Sequence, residues 1–192
     1  MTLKFIDDRD KNEYKLVRVG EQLWFAENLC YRVEDCCFMY NNRYSSFEKN
    51  GYLYNEKALD EICPPGWRIP TPSDFFKLYK HFEDAFEKTG MVKILSGKLA
   101  INNVLLQLGG VGSESQECYS QEGEGAFFWT LFPGNIKQYC LIDSAGIKFR
   151  RPTVLSNLFS VRLVCDDVMT DPRSVMKVGS PDPIDEWREE LL

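Results

Sequence analysis

The sequence predicts an α+β domain, and three observations support this fold class. Residues 14–19 and 22–25 are strand-like runs separated by Gly20-Glu21, which is the pattern of a β-hairpin. Residues 72–88 carry aromatic side chains at helical spacing, which predicts one amphipathic helix. Further strand-like runs follow at residues 126–130, 138–142 and 159–165. A hairpin, a helix and later strands in one chain are typical of a mixed domain.

Length and composition fit one sizeable globular domain. The chain has 192 residues, of which 44% are hydrophobic and 14% aromatic, enough to bury a substantial core. Its 29 acidic and 23 basic residues give a net charge of −6, which argues against nucleic acid or an anionic membrane surface as a partner. No apolar run approaches the roughly 20 residues of a spanning helix, so no membrane span is expected.

The first residues turn acidic before any signal-peptide core. As written, the chain is therefore expected in the cytoplasm. If an upstream leader was trimmed, the cell surface or the outside of the cell is expected instead.

The cysteine and histidine patterns predict no metal and no cofactor. The seven cysteines form no C-x-x-C pair, and His81 is the single histidine. A Cys₂His₂ zinc site is therefore excluded, and no paired cysteine spacing supports a Cys₄ site. Most cysteines are expected to be small buried hydrophobic residues, and His81 is expected at the surface or at its boundary.

The segment Cys63–Phe75 contains four prolines and is predicted to be a rigid connector between two helices. Its first two prolines end a short helix at residues 56–62, because proline has no N–H to donate. Thr71 and Asp74 are expected to form a capping box at the start of the next helix. Between the helices, Trp67 is expected to be buried in a bridge or a short strand.

The helix at residues 72–88 is predicted to bury one aromatic stripe, made of Phe75, Tyr79, Phe82 and Phe86. Residues 26–54 read as irregular and end in a short aromatic strand at 51–54. A further apolar strand is expected at 104–108.

Residues 109–125 read as a long loop rich in glycine and glutamate. A phosphate loop is rejected, because neither glycine motif is completed and the glutamates would repel phosphate. A solvated acidic loop is favoured over calcium binding, because the ligand spacing of an EF-hand is missing.

The last predicted strand places alternate residues on one face, namely Phe159, Val161, Leu163 and Cys165. The domain is expected to span residues 1–166. Residues 167–192 are expected to form an acidic linker and a short helix capped by Asp182, which docks either on its own domain or on a partner.

Four sequence blocks carry a family resemblance, and they lie at residues 8–29, 51–54, 63–75 and 159–165. They include Trp24-Phe25-Ala26-Glu27-Asn28-Leu29 and the Cys63-Pro64-Pro65-Gly66-Trp67 run. On these blocks the chain resembles the Fibrobacter succinogenes major paralogous domain family, a group of bacterial domains. The resemblance implies a C-type-lectin-like fold related to formylglycine-generating enzymes, with two helices, short irregular antiparallel sheets and long loops.

The resemblance also implies a disulfide between Cys63 and Cys165, or a reduced pair that simply packs. In the chain-entropy model, a bond closing a loop of roughly 100 residues contributes up to about 4 to 5 kcal/mol.

An enzyme is not expected. The late cysteines Cys118, Cys140 and Cys165 are far apart in sequence, unlike the closely spaced pair of formylglycine-generating enzymes. One histidine cannot supply the three-histidine iron site of their relatives, and the calcium signatures of sugar-binding lectins are absent. No catalytic residue is therefore assigned.

The remaining expectation is a non-enzymatic recognition module that binds a protein partner, for example a toxin-neutralising immunity protein. Alternatives are a secreted adhesin or glycan-binding domain, and a degenerate enzyme of the formylglycine-generating type. The oligomeric state is left open. The predicted partner-binding face combines acidic, aromatic and basic side chains, which are Glu114, Glu117, Tyr119, Glu122, Glu124, Arg150 and Arg151.

Overall fold

The computed structural model describes residues 2–89, 93–95, 98–101, 104–107, 109–113, 118–122, 124–143, 146–153, 157–166 and 175–178. The strands are β1 (Thr2–Ile6), β2 (Glu13–Val19), β3 (Gln22–Phe25), β4 (Cys37–Phe38), β5 (Leu53–Tyr54), β6 (Lys93–Leu95), β7 (Lys98–Ile101), β8 (Val104–Gln107), β9 (Gly109–Ser113), β10 (Cys118–Glu122), β11 (Ala126–Phe132), β12 (Ile136–Asp143), β13 (Gly146–Arg150), β14 (Asn157–Ser160), β15 (Val164–Asp166) and β16 (Val175–Val178). The α-helices are α1 (Tyr44–Asn50) and α2 (Pro72–Thr89), and 3₁₀ helices span Tyr40–Asn42 and Glu56–Asp60.

The predicted N-terminal hairpin is confirmed and lies inside a five-stranded sheet with the order β15-β3-β2-β1-β16. Strands β2 and β3 pair antiparallel along the whole of β3. Gly20 has φ +59°, the left-handed conformation that a two-residue hairpin turn requires.

The segment expected to be a linker contains a strand. Residues Val175–Val178 form β16, which pairs with β1 at the sheet edge. The predicted helix after Asp182 lies outside the described residues.

The second sheet has the order β10-β9-β14-β11-β12-β13, and β4 and β5 join it beside β14. Antiparallel sheets were expected, and the second sheet is mixed, because β14 pairs with β11 in parallel through Phe128 and Ser160. The chain is therefore a mixed α+β domain made mostly of sheet. A third, three-stranded sheet has the order β6-β7-β8 and contains the strand predicted near residue 104.

The stretch expected to be a long glycine-rich loop forms a hairpin instead, since β9 and β10 pair antiparallel. Glycine at position 112 makes room for a side chain of the partner strand. A Cβ atom at Gly112 would lie 2.9 Å from the ring of Tyr119, so glycine leaves the space that the ring occupies.

The long helix is confirmed; of its predicted stripe, Phe82 and Phe86 have side chains outside the description, so only Phe75 and Tyr79 can be compared. Phe75 and Leu78 are buried, whereas Tyr79 is half-buried. The side chains after residue 81 lie outside the description. His81 is exposed, as predicted.

The other helical predictions were wrong in detail. Residues 26–54, read as irregular, contain α1. The short helix expected at 56–62 is a 3₁₀ helix over Glu56–Asp60, capped by Asn55 through the backbone N–H groups of Lys57 and Ala58. Prolines at 64 and 65 leave too little room for longer α-helical propagation.

The apolar side chains form two main clusters on opposite sides of the segment 159–165. Phe159, Val161, Leu163 and Cys165 all belong to the first cluster, which confirms their predicted shared face. Val164 points the other way, into a second cluster with Trp24, Phe75 and Phe128. The segment is divided between two sheets rather than being one strand, since β14 ends at Ser160 and β15 starts at Val164.

The connector before α2 folds as predicted. Thr71 and Asp74 form a reciprocal capping box, with the Thr71 backbone N–H donating to Asp74 Oδ2 at 2.8 Å and the Asp74 N–H donating to Thr71 Oγ1 at 3.3 Å. Trp67 is buried against Phe5 and Phe25. Next to it, Arg68 pairs with Val164 of β15 through two backbone hydrogen bonds of 2.9 and 3.0 Å. The connector is thereby fixed to β15, an edge strand of the five-stranded sheet.

Candidate functional site

A group of partly exposed apolar side chains lies where the start of α2 meets the edge of the second sheet. Among the described residues, Phe76 is 53% exposed and Ile136 is 45% exposed, while Phe132 and Phe149 are half-buried. The ring centroids of Phe76 and Phe149 are 5.2 Å apart, and those of Phe132 and Phe149 are 6.3 Å apart. We call these four residues the aromatic patch.

The fold positions the patch through strand register and helix capping. Phe132 and Ile136 are directly opposite each other in the β11–β12 ladder, so their side chains share one face of the sheet. Phe75 packs into the second cluster on this face, with its ring 5.8 Å from that of Phe128. Phe76, the next residue in the helix, is therefore held at the margin of that cluster.

The patch adjoins an outer strand of the sheet. Strand β13 pairs with β12 at every one of its residues, from Arg150 opposite Tyr139 to Gly146 opposite Asp143. Within the described part of the chain, no strand pairs with its other side. Relative to the described strands, the row of backbone N–H and C=O groups on that side is therefore an open sheet edge.

The basic residues beside this edge differ in their pairing. Lys148 forms an ion pair with Asp143 at 3.0 Å. Arg150 and Arg151 are exposed, and neither forms an ion pair with a described residue. On a chain of net charge −6, these two guanidinium groups make a locally positive margin next to the aromatic patch.

The structure does not bring the sequence-predicted partner-binding residues together. Tyr119 and Glu122 lie on β10 and Arg150 lies on β13, which are the two ends of the strand order in the second sheet. The ring of Tyr119 packs 5.1 Å from that of Tyr40 and is half-buried. Glu124 is exposed.

Glu114 and Glu117 lie outside the described residues, and the side chain of Glu122 is also outside the description. A single face containing all the predicted residues does not form, because four strands separate its two ends. A partner-binding role for either end stays a prediction.

Sequence reasoning missed the aromatic patch, although one signal was present. Phe76 directly follows Phe75, so a large aromatic side chain had to lie off the buried stripe of the helix. The contacts of Phe149 and Phe132 depend on strand pairing, which the residue pattern alone did not define.

A second feature is a buried polar cluster centred on Arg162, which is fully buried. Its Nη2 donates to Asn28 Oδ1 at 2.8 Å, and Asn28 Nδ2 donates to the Asn50 carbonyl at 2.9 Å and to Ser160 Oγ at 3.3 Å. Nε and Nη1 of Arg162 have no hydrogen-bond partner among the described residues. Burial lowers the pKa of Arg162 to about 10, an effect that the charge of Glu27 partly opposes.

This cluster joins two of the sequence blocks that carry the family resemblance. Asn28 comes from the block at residues 8–29, just after β3, and Ser160 and Arg162 come from the block at residues 159–165. The backbone also links them, since the N–H of Leu29 donates to the carbonyl of Val161 at 2.8 Å. The cluster therefore connects early and late parts of the fold.

A third polar site is the carboxylate of Asp74 at the start of α2. It is buried and accepts hydrogen bonds from Arg68, from Thr71 and from Gln22, whose Nε2 lies 2.7 Å from Oδ1. Burial alone would raise the pKa of Asp74. The hydrogen bonds outweigh burial and hold that pKa well below its usual range. The ionised carboxylate therefore stabilises the start of α2, the helix that contains Phe76.

Burial favours the protonated form of two partly buried cysteine thiols, those of Cys30 and Cys63. Cys165 lies within the first cluster, and Cys63 packs against it. The disulfide and the packed reduced pair both stay predictions. Burial raises the pKa of Cys63 and of Cys30 to about 11 in each case. Within the described ranges, no group of three or more cysteine, histidine or carboxylate side chains is placed to hold a metal ion.

Together, the fold and these sites define a sheet-rich α+β domain with one exposed apolar and basic margin and a polar cluster inside its core. The family model of the Fibrobacter succinogenes major domain matches residues 17–164, and the chain belongs to that family. This confirms the family predicted from the four sequence blocks.

No curated protein and no solved structure gives a significant match to the chain. The finer C-type-lectin-like assignment therefore stays a prediction, as do the functional roles. In the part of the chain that the structure describes, no helix combines the length and apolar character needed to cross a membrane.

Proposed function

We propose that this domain is a non-enzymatic recognition module that binds a protein partner through the aromatic patch and the adjoining margin of β13. The observation that carries the proposal is the position of Phe76. Its ring is 53% exposed and lies 5.2 Å from the ring of Phe149. A toxin-neutralising immunity protein is one role of this kind.

The composition of the surface supports protein binding. Aromatic residues and arginine are enriched at protein interfaces and among the residues that dominate binding energy. A group of clustered apolar side chains with charged residues at its rim is the usual appearance of such a contact surface. Here the apolar part is the aromatic patch, and the rim contains Arg150 and Arg151.

We further propose that the scaffold is C-type-lectin-like, as the family resemblance implies. The pairing of early with late strands supports this proposal. Strand β3 pairs with β15, and β1 pairs with β16, so the two ends of the described chain lie in one sheet. A rigid scaffold of this type carries its binding residues at strand edges and in loops.

Affinity capture from the native host tests the proposed function. The bait proteins are the wild-type chain, the double variant Phe76→Ser/Ile136→Ser, and the control Tyr44→Ser. Tyr44 is 64% exposed but lies on α1, so the control removes an exposed aromatic ring from a different surface.

The expected result is a protein captured by the wild type and by Tyr44→Ser, with capture reduced about tenfold or more in the double variant. Circular dichroism and thermal melting establish that all three baits are folded. The proposal is overturned if the folded double variant captures the same proteins in the same amounts as the wild type.

A further inference from the structure

The edge strand beside the aromatic patch indicates how a partner docks. Resting on the proposed function, we propose that the partner adds an extended segment to the outer side of β13, and that this segment alternates apolar and acidic residues. The added segment would continue the second sheet by one strand.

The regularity of β13 is the first argument. Its five residues are all in register with β12, without a bulge. The strand at the other end of this sheet is different, because Gln121 of β10 has φ 61° and the opposite Gly110 has φ 69°, which interrupts the ladder between them. A distorted edge resists the addition of a strand, whereas a regular edge accepts one.

The two faces of β13 supply the second argument. Neighbouring residues in a strand point to opposite faces, so Phe149 and Arg150 present an apolar and a basic side chain on different sides of the edge. The Phe149 ring contacts Phe76, which extends the apolar side onto α2. In a strand added here, every second side chain would contact the apolar surface. The side chains between them would face the positive charge.

Charge is the third argument. Lys148 is already paired with Asp143, but Arg150 and Arg151 are exposed and form no ion pair with a described residue. They lie on a protein of net charge −6, so a local positive margin here favours an acidic segment over the net repulsion that the whole chain exerts on it. Acidic residues in the added segment complement these two arginines and fix its position along the edge.

A random dodecapeptide library displayed on phage tests the inference. The full chain is the target, and the variant Arg150→Glu/Arg151→Glu is screened alongside. The control Lys15→Glu/Lys57→Glu makes the same change in net charge at two exposed lysines on β2 and on the 3₁₀ helix at Glu56–Asp60. Selected peptides are then synthesised and their binding is measured by fluorescence anisotropy.

The expected peptides carry alternating acidic and apolar residues. Their affinity should fall about tenfold or more in the arginine variant and stay within about twofold in the lysine control. Hydrogen exchange of the complex should show slower exchange at the amides of residues 147–150, because an added strand pairs with that backbone.

Three results would overturn the inference: no enriched peptide, enriched peptides without acidic residues, or unchanged amide exchange in β13 on binding. These outcomes are separable from failure of the proposed function. If Phe76→Ser/Ile136→Ser abolishes capture of a host protein but no peptide is selected, the patch binds a folded surface and the strand-addition mode is wrong. If neither capture nor peptide binding depends on the patch, both proposals fail.

Discussion

Replacing Asp74 with asparagine is expected to destabilise the domain more than any other single change of a charged residue at the start of α2. The carboxylate is buried and accepts hydrogen bonds from Arg68, Gln22 and Thr71. An amide of the same size keeps the shape, but it offers one acceptor oxygen and turns two N–H donors toward groups that also donate.

The size of the effect follows from the contacts that are lost. Loss of the capping interaction with Thr71 costs about 1 kcal/mol. Hydrogen bonds to a charged group contribute roughly 1.5 to 3 kcal/mol, but Arg68 is 38% exposed and regains water when its partner is lost. Gln22 also keeps a second acceptor in Asp166 at 3.1 Å. We therefore expect a loss of about 3 kcal/mol in the free energy of unfolding.

The stability that Asp74 contributes depends on pH. The pKa of Asp74 is held below its value in the unfolded chain, so its stabilisation is fully present above the unfolded pKa of about 4 and is lost as the pH falls through the folded pKa. The stability gap between the wild type and Asp74→Asn should therefore be widest between about pH 5 and 7, and it should narrow below about pH 4.

Urea denaturation at pH 7, 5 and 3 measures this gap. Asp166→Asn is the matched control, since Asp166 also faces Arg68 but its side chain is 60% exposed. We expect it to lose no more than about 0.5 kcal/mol at pH 7. The reasoning is refuted if Asp74→Asn and Asp166→Asn are equally stable at pH 7, or if the gap caused by Asp74→Asn is the same at pH 3 as at pH 7.

Three further predictions concern the core and the thiols. Asn28→Ala should lower the free energy of unfolding by about 3 kcal/mol, because it removes the hydrogen-bond acceptor of the buried Arg162. Adding Arg162→Met should recover part of this loss. If the double variant is less stable in urea than Asn28→Ala, the role given to the buried charge is contradicted. Gly112→Ala should lower the free energy of unfolding by about 1 to 3 kcal/mol, because the new Cβ would lie 2.9 Å from the Tyr119 ring. In a Tyr119→Leu background, thermal melting should show a smaller loss of stability. An equal loss in both backgrounds would contradict the role of the ring contact. Alkylation of Cys63 by iodoacetamide should be slow at pH 8 and should accelerate toward pH 10, because burial raises the pKa of its thiol to about 11. Mass spectrometry after alkylation of the denatured chain also tests the disulfide, since a bond between Cys63 and Cys165 would leave both residues unmodified.

The parts of the fold that the sequence predicted well depend on local chemistry. The Gly20 turn, the Thr71–Asp74 capping box and the burial of Trp67 follow from residues that are neighbours in the chain. The shared face of Phe159 and Val161 follows from the twofold repeat of an extended chain. Such features need no knowledge of what lies across the sheet.

The parts that were wrong depend on partners distant in the chain. The sequence of the β9–β10 hairpin predicted a loop, because glycine is rare in strands. The presence of glycine at position 112 is explained only by the packing of the Tyr119 ring against it. The proposed binding margin was also hidden, because Phe76, Phe132 and Phe149 come from three elements that meet only in the folded domain. Arg150 was included in the predicted face, but the strand order places it at the opposite edge from Tyr119.

The segment 157–166 has a consequence for how the chain acquires its structure during synthesis. Its first half adds β14 to the second sheet and its second half adds β15 to the five-stranded sheet, and its residues contribute to both apolar clusters. The contact between Gln22 and Asp166 joins residues 144 positions apart in sequence. Neither sheet can therefore close around its core until residue 166 has left the ribosome, so the earlier strands emerge without their final partners.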